Sequence, residues 1–402
     1  SLPEASAKMQ LDTGNRTGDA VRRSKERAEQ PPRIWPGWLG HNRDGWVRDF
    51  QPPPQWPSKL KKRWQVDVGT GYATPVVVGD VIYQHARQGD EEVVWCLDAK
   101  TGQVRWRQSY EVPFKMGGGG ESHGKGPKSN AYYSDGRLFT FSITGVLSAW
   151  NAKDGKLLWR RDKASEFETT RPYWGATTSP VVDGDRVIVH FGNDDRGVLV
   201  AHDVATGEEV WVQGNDGASY SSPLAVEIDG VQQIVEWNHR ALVGIDSETG
   251  EKLWDQPFEH EGTNQNMPTP SLYDGCILAG GENRGFYSFR PKRDGEQWTV
   301  EERWFQDKIA LDMSTAVVNE GLLFGFSHYD RGRLFCLDVD SGEVLWEGPP
   351  RAGQNVTFLA FPGHVVALMN HGELKVIQAS GVALKEVVSY QVAQSETWAA
   401  PV

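Results

Sequence analysis

The stretch CLDAKTGQVRW at residues 96–106 returns as CLDVDSGEVLW at residues 336–346, with Cys, Leu, Asp, Gly, Val and Trp in the same order. Degraded copies are AWNAKDGKLLW at 149–159, AHDVATGEEVW at 201–211 and GIDSETGEKLW at 244–254, with a looser one at 288–304. The closing tryptophans stand at 106, 159, 211, 254, 304 and 346. This repeat length, in the forties to low fifties, is typical of one four-stranded propeller blade.

A second element precedes each copy and completes the blade. Segments such as YATPVVVGDVIY at 72–83 and TTSPVVDGDRVIV at 177–189 place Ser-Pro or Thr-Pro before two apolar runs separated by Gly-Asp. This pattern predicts strand, hairpin and strand. The repeated phrase then adds a third strand, a turn in which Asp98 accepts backbone N–H groups and Gly102 takes a positive φ, and a fourth strand. We therefore interpret the repeat as scaffold.

The motif L-D-x-x-T-G-x-x-x-W is similar to the repeat of the pyrroloquinoline-quinone-like β-propellers, and the similarity covers residues 34–402. IWPGWLGHNRDGW at 34–46 resembles the leader of a bacterial subfamily often labelled BamB-like. The resemblance implies an all-β, eight-bladed β-propeller of four-stranded antiparallel blades in an extracytoplasmic, periplasmic location. It leaves activity open, because the family includes quinoprotein dehydrogenases, an outer-membrane assembly lipoprotein and sensor domains.

Seven complete blades and part of an eighth can be placed along the chain. The complete units are predicted at 72–110, 128–162, 174–213, 219–256, 265–306, 312–348 and 354–392. Lys62–Val68 and Trp398–Val402 are expected to be the outer and inner strands of the eighth blade, which is incomplete here. We expect the natural sequence to continue and supply the missing hairpin. Residues 1–33, charged and poor in aromatics, are predicted to be a flexible tail beside the propeller at 34–402.

Charge and composition exclude several classes of function. Lys plus Arg number 42 against 54 Asp plus Glu, a net charge of −12 that argues against nucleic acid as a partner. No run of apolar residues is long enough to span a membrane, and no signal-peptide pattern is present. The three scattered cysteines form neither a disulfide framework nor a metal site, and no histidine pair has zinc-ligand spacing.

The residues just before each Ser/Thr-Pro step should surround the mouth of the propeller channel, because the innermost strands line it. Aromatic and methionine side chains with a few polar groups are typical of a peptide or small-ligand surface. The predicted ligand-binding residues are Tyr72, Asn130, Trp174, Tyr220, Asn266, Asp312 and Trp398. The alternative is that these side chains only fill the centre of the ring.

The glycine-rich segment KMGGGGESHGKGPKSN at 115–130 is a second candidate. It nearly matches a phosphate-binding loop, but Gly126 stands where Ser or Thr would contact magnesium. It is interpreted either as a connector or as an anion-binding loop in which His123, Lys125 and Lys128 hold a carboxylate over the channel.

The sequence favours a non-catalytic binding or assembly scaffold for protein segments or a cell-envelope ligand, with no cofactor. No nucleophile elbow is present. One alternative is a quinoprotein oxidoreductase that uses pyrroloquinoline quinone with calcium, since Glu282, Asn283 and Asp312 resemble its calcium ligands in residue type. Their flanking sequence does not match, however, and the adjacent cysteine pair of those enzymes is absent. The other alternative is the sensor domain of a larger signalling protein.

Overall fold

The computed structural model describes residues 33–116, 123–167, 171–262 and 265–402. Within them the regular structure is β-strand, with one 3₁₀ turn at Tyr329–Arg331 and no α-helix. None of the described elements is a helix long and apolar enough to cross a membrane. Apart from Arg33, the described residues belong to one unit, Ile34–Val402. The tail predicted at 1–33 lies outside the described residues, Arg33 excepted, and stays a prediction.

The described strands form seven sheets, each with four antiparallel strands in chain order, which we number blades 1 to 7. Blades 1 to 4 contain β2 Val76–Val78, β3 Val81–Gln88, β4 Glu91–Asp98, β5 Val104–Glu111; β6 Tyr132–Ser134, β7 Arg137–Phe141, β8 Leu147–Asn151, β9 Leu157–Arg161; β10 Val181–Asp183, β11 Arg186–Gly192, β12 Gly197–Asp203, β13 Glu209–Gln213; and β14 Leu224–Ile228, β15 Val231–Trp237, β16 Ala241–Asp246, β17 Lys252–Pro257. Blades 5 to 7 contain β18 Ser271–Tyr273, β19 Cys276–Gly280, β20 Phe286–Asp294, β21 Gln297–Gln306; β22 Val317–Asn319, β23 Leu322–Ser327, β24 Arg333–Asp338, β25 Val344–Glu347; and β26 Val356–Phe361, β27 His364–Met369, β28 Glu373–Gln378, β29 Glu386–Gln391. A short strand β1, Ile34–Trp35, pairs with β2.

The all-β propeller architecture is confirmed, and each predicted unit matches one sheet. The predicted ends agree with the last strand to within one residue, and the predicted starts lie 2 to 7 residues before the first strand. The turn between the third and fourth strands has the predicted chemistry. Asp98 accepts hydrogen bonds from the backbone N–H groups of Lys100 and Thr101, each at 3.0 Å, and from the Thr101 hydroxyl at 2.9 Å. Gly102 has φ 72°, a conformation that costs glycine little. Local hydrogen bonding therefore fixes the end of each blade.

The closing tryptophan of blades 1, 2, 3 and 5 contacts the turn glycine of the next blade. The Trp106 ring lies over Gly155 of blade 2, where a Cβ would come within 2.6 Å of the ring, and its indole N–H donates to the Ala152 carbonyl at 3.0 Å. The same Trp–Gly contact recurs at Trp159 with Gly207, Trp211 with Gly250, and Trp304 with Gly342. The repeated glycine is required for two reasons. Its φ is positive, and the neighbouring indole ring occupies the space that a side chain would need.

An eighth position is present between blades 7 and 1. Trp64 lies over Gly102 and donates to the Ala99 carbonyl at 3.0 Å, as the fourth-strand tryptophans do elsewhere. Side-chain exposure alternates along 62–68, with Trp64, Val66 and Val68 facing blade 1. The prediction that 62–68 and 398–402 are strands is wrong, because neither segment is paired as a strand. Their predicted positions between blades 7 and 1 are as expected. An extended segment becomes a strand only when a neighbour pairs with it.

The Ser/Thr-Pro steps connect the innermost strands around the channel. The residue before the proline, or its equivalent, donates its backbone N–H to the side-chain oxygen of the matching residue in the next blade. These bonds run from Ala400 to Thr74, from Thr74 to Asn130, from Asn130 to Ser179, from Ser179 to Ser222, and from Thr269 to Thr315. Ala400 thus takes the eighth place in a ring whose other places belong to complete blades.

The leader segment, residues 34–50, fills the channel, which the sequence did not predict. Beyond the β1–β2 pairing with blade 1, the N–H of Val47 donates to the Ala360 carbonyl of blade 7 at 2.8 Å. The Trp46 indole donates to the Val318 carbonyl of blade 6 at 2.6 Å. Arg43, 2 % exposed, donates to the Pro223 carbonyl of blade 4 at 2.8 Å. Its contacts with several blades make the leader the central packing element of the ring.

Replacing Trp211 with Ala should lower the free energy of unfolding by about 3–5 kcal/mol, because a buried ring and its hydrogen bond to the Ser247 carbonyl are lost. Denaturant melts measure this change. Val210→Ala is the matched control, since Val210 precedes it on the same strand with 49 % of its surface exposed. Equal small effects for both variants would contradict the role of the Trp–Gly contact.

Candidate functional site at the channel mouth

One face of the propeller collects the loops that carry polar and aromatic side chains. Because the four strands of a blade alternate in direction, the loop entering the blade and the loop between its second and third strands lie at the same end. We call this end the mouth face. A cavity of about 380 Å³ opens there, within the usual size range of small-ligand sites.

The leader forms the floor of the cavity. Trp38 lines it, and the indole N–H donates to the Thr269 hydroxyl at 2.9 Å. Arg43, in the same segment, is held by backbone carbonyls of blades 3 and 4, and burial lowers the pKa of its guanidinium to about 10. The cavity is therefore closed on the leader side and open at the mouth face. Sequence reasoning missed Trp38 because nothing local places the leader inside the ring.

Six of the seven residues predicted at the channel mouth surround this cavity: Tyr72, Asn130, Trp174, Tyr220, Asp312 and Trp398. Asn266 does not line the cavity, so the prediction that it lies at the channel mouth is wrong. It is 1 % exposed; its amide donates to the Asn238 carbonyl at 2.8 Å and accepts from the Arg284 guanidinium at 2.7 Å. Asn266 therefore ties loops of blades 4 and 5 together. A role in ligand binding stays a prediction for the other six.

The glycine-rich segment is divided by the structure. Residues 117–122 lie outside the described residues, while His123 and Lys128 line the cavity and Lys125 is exposed and does not. The His123 ring lies 5.5 Å from the Trp398 ring, which in turn stacks on Tyr72 at 5.3 Å. The predicted anion-binding loop is thus reduced to His123 and Lys128, and Lys125 is removed from it.

Lys128 is a half-buried cation held by one hydrogen bond. Its ammonium group donates to the Trp174 carbonyl at 2.9 Å, and burial lowers its pKa to about 8. Among the described residues Lys128 has no carboxylate partner. Burial and then the Lys128 charge lower the pKa of His123. The charge of Glu396, outside the cavity lining, acts on His123 in the opposite direction. Within the lining, this side therefore carries the Lys128 cation and aromatic rings.

The opposite side is acidic. Burial raises the pKa of Asp312 to about 6, and burial together with the Asp312 charge raises the pKa of Glu282. Neither carboxylate has a hydrogen bond or ion pair within the described part of the chain. Glu282 lies in the loop between β19 and β20, and the sequence predicts it only as a residue type that binds calcium. The signal that could have placed it at the mouth is its position between the second and third strands of blade 5.

Lys128 and Asp312 face each other across the channel. Lys128 enters blade 2 and Asp312 enters blade 6, four positions apart in a ring of eight. Burial alone shifts the pKa of each, with no contribution from the other charge. Neither charge is therefore neutralised by the other, and Asp312 lies beside the like charge of Glu282.

Comparison with known proteins relates the chain to one repeat family. The family profile described as "Outer membrane protein assembly factor BamB" matches residues 90–348. The assembly factor BamB of Burkholderia pseudomallei is 28% identical over 334 residues, which cover 77% of this chain and 74% of that protein. The quinone-dependent alcohol dehydrogenase subunit of Acetobacter aceti is 23% identical over 368 residues, 86% of this chain but only 42% of that protein.

Solved structures show the same fold at low sequence identity. A europium-containing methanol dehydrogenase superposes with a TM-score of 0.67 at 14% identity, covering 91% of this chain and 86% of that one. BamB from Moraxella catarrhalis superposes with a TM-score of 0.57 at 16% identity, covering 79% and 85%. The propeller is thus shared by proteins with different named roles.

Replacing Asp312 with Asn should stabilise the protein at pH 7.5 by roughly 1–3 kcal/mol, because one pKa unit corresponds to about 1.4 kcal/mol. The raised pKa means that the folded state loses stability as pH rises from the ordinary value of 3.8 through about 6. The charged groups near Asp312 are Glu282 and, beside Glu282, His328 and Arg284. Thermal melts from pH 4 to pH 8 should show the gain above about pH 6 and its loss near pH 4.

Asp307→Asn is the control for this measurement, since Asp307 is exposed at the start of the same loop, between β21 and β22. A loss of stability on Asp312→Asn at pH 7.5 would show that the carboxylate has a structural partner.

Proposed function

Because the chain belongs to the family of the outer membrane protein assembly factor BamB, we propose that it is a non-catalytic binding protein of the bacterial cell envelope. It acts outside the cytoplasmic membrane, and its ligand site is the mouth cavity, where a protein segment or an envelope ligand binds. The observation that supports this is a cavity with half-buried, unneutralised charges: Lys128 on one side, Asp312 and Glu282 on the other. Groups placed at a cost to stability are typical of functional sites.

The dehydrogenase relatives favour a second candidate, an oxidoreductase that uses pyrroloquinoline quinone and calcium. That quinone is a flat tricarboxylic acid, and the cavity lining offers its carboxylates one half-buried ammonium group, Lys128. Calcium needs about six to eight oxygen ligands, whereas Glu282 and Asp312 supply two carboxylates. No cluster of three or more His, Cys, Asp or Glu residues suited to a metal occurs in the described residues. These residues do not fit the quinone with its calcium.

The binding role is tested by photo-crosslinking. Trp398, at the cavity wall, is replaced by the photoreactive residue p-benzoylphenylalanine, and the protein is irradiated in a bacterial envelope extract. Intact-protein mass spectrometry should show an adduct of defined mass. The same replacement at Val210, exposed on the outer strand β13, is the control and should give none. Equal labelling at both positions, or none at position 398, would count against a ligand site at the mouth.

The oxidoreductase candidate is tested separately with the unmodified protein. We expect no retained quinone absorbance after incubation with pyrroloquinoline quinone and calcium followed by gel filtration, and no dye-linked oxidation of alcohols. Retained quinone with turnover would replace the binding role by catalysis.

A further inference from the structure

The cavity carries opposite charges at opposite ends, and this limits which ligands it can accept. Lys128 uses one of its three N–H donors on the Trp174 carbonyl. Asp312 and Glu282 have no hydrogen bond or ion pair among the residues the structure describes. Because charges removed from water are costly unless paired, both ends favour a ligand that brings the missing partner.

The walls between the two ends are neutral and flat. Going round the ring from Lys128 to Asp312, the lining passes Trp174, Tyr220 and Met267 on one side and Tyr72 and Trp398 on the other. Aromatic and methionine side chains offer apolar and cation–π contacts with no charge of their own. The same walls also carry uncharged polar side chains, among them Thr177, Ser222 and Asn355. The middle of the ligand is therefore uncharged.

We propose that the mouth cavity binds a small dipolar ligand, a short peptide or amino-acid-type zwitterion, with its carboxylate at Lys128 and its ammonium group at Asp312 and Glu282. This inference rests on the proposed function and gives its site a ligand class. A ligand with two negative charges pairs with Lys128 but is repelled by Asp312. A ligand with two positive charges pairs with Asp312 but is repelled by Lys128. A zwitterion of matching span neutralises both ends at once.

The closed floor of the cavity limits the ligand to one route of entry. Trp38 and the leader behind it occupy the channel, so the ligand enters and leaves through the mouth face alone. A long polypeptide cannot pass through the ring. This geometry favours a ligand with both charged ends inside the cavity over an internal protein segment, whose peptide groups carry neither charge.

Three matched probes test the proposal on the full chain. The dipeptide Ala-Phe carries both charges, N-acetyl-Ala-Phe lacks the ammonium group, and Ala-Phe amide lacks the carboxylate. Calorimetric titration at pH 7 should show Ala-Phe binding to the unmodified protein at least tenfold more tightly than either neutralised probe. Equal affinity for all three would overturn the proposal.

Variants that lack one of the charges should lose the corresponding preference. Lys128→Met should bind Ala-Phe and its amide equally, because the cation that binds the carboxylate is gone. The double variant Asp312→Asn/Glu282→Gln should bind Ala-Phe and its acetylated form equally, because both carboxylates that bind the ammonium group are gone. Lys125→Met is the control, since Lys125 is exposed near the mouth but outside the lining, and should keep the tenfold preference. Thermal melts establish that each variant is folded. Retained discrimination in Lys128→Met and in the double variant would place the recognition elsewhere and overturn the proposal.

Failure of this inference and failure of the proposed function give different results. No binding of any probe, together with a photo-crosslinked adduct at position 398, would reject the dipolar ligand and leave the binding role in place. No binding and no adduct would reject both.

Discussion

The contact between a tryptophan ring and a turn glycine is the interaction on which this structure depends. A blade that ends in Trp106 can lie only against a blade whose turn leaves space for the indole, and Gly155 leaves that space. The indole hydrogen bond to the Ala152 carbonyl fixes the distance and angle between the two sheets. Repetition of this contact between blades 1 and 2, 2 and 3, 3 and 4, and 5 and 6 therefore contributes to the curvature of the ring, and with it to the width of the channel.

The width of the channel has a consequence at each end. On one side the leader is held inside it, and Trp38 and Arg43 make hydrogen bonds to backbone and side-chain groups that would otherwise face an empty core. On the other side the channel stays open, and side chains from different blades meet around a cavity. Lys128 and Asp312 reach this cavity from opposite blades, too far apart to neutralise each other, and burial shifts the pKa of each toward its neutral form. The architecture thus creates a charged site without an internal ion pair.

The same scaffold occurs in proteins named as assembly factors and in proteins named as quinone-dependent dehydrogenases. A fold shared in this way does not assign an activity, because activity depends on the side chains that a given chain places at the mouth. In this chain those side chains are aromatic rings, Lys128, and the Asp312–Glu282 pair. Their charges match a dipolar ligand better than a tricarboxylate with calcium, which is why the binding role is the function proposed.

The sequence by itself determined the blades, since Asp98, Gly102 and Trp106 act through turns and contacts that most repeats reproduce, although the last repeat, at 376–390, has no tryptophan. It also placed six residues at the mouth correctly, because the Ser/Thr-Pro step marks the start of each innermost strand. It misplaced Asn266, whose side chain turns away to Arg284, and it gave no sign that Trp38 lies under the cavity. These features depend on contacts between residues far apart in the chain, as Trp38 and Thr269 are. Only the closed ring decides which side of a loop residue faces the channel, and only burial in that ring gives Lys128 and Asp312 their shifted pKa values.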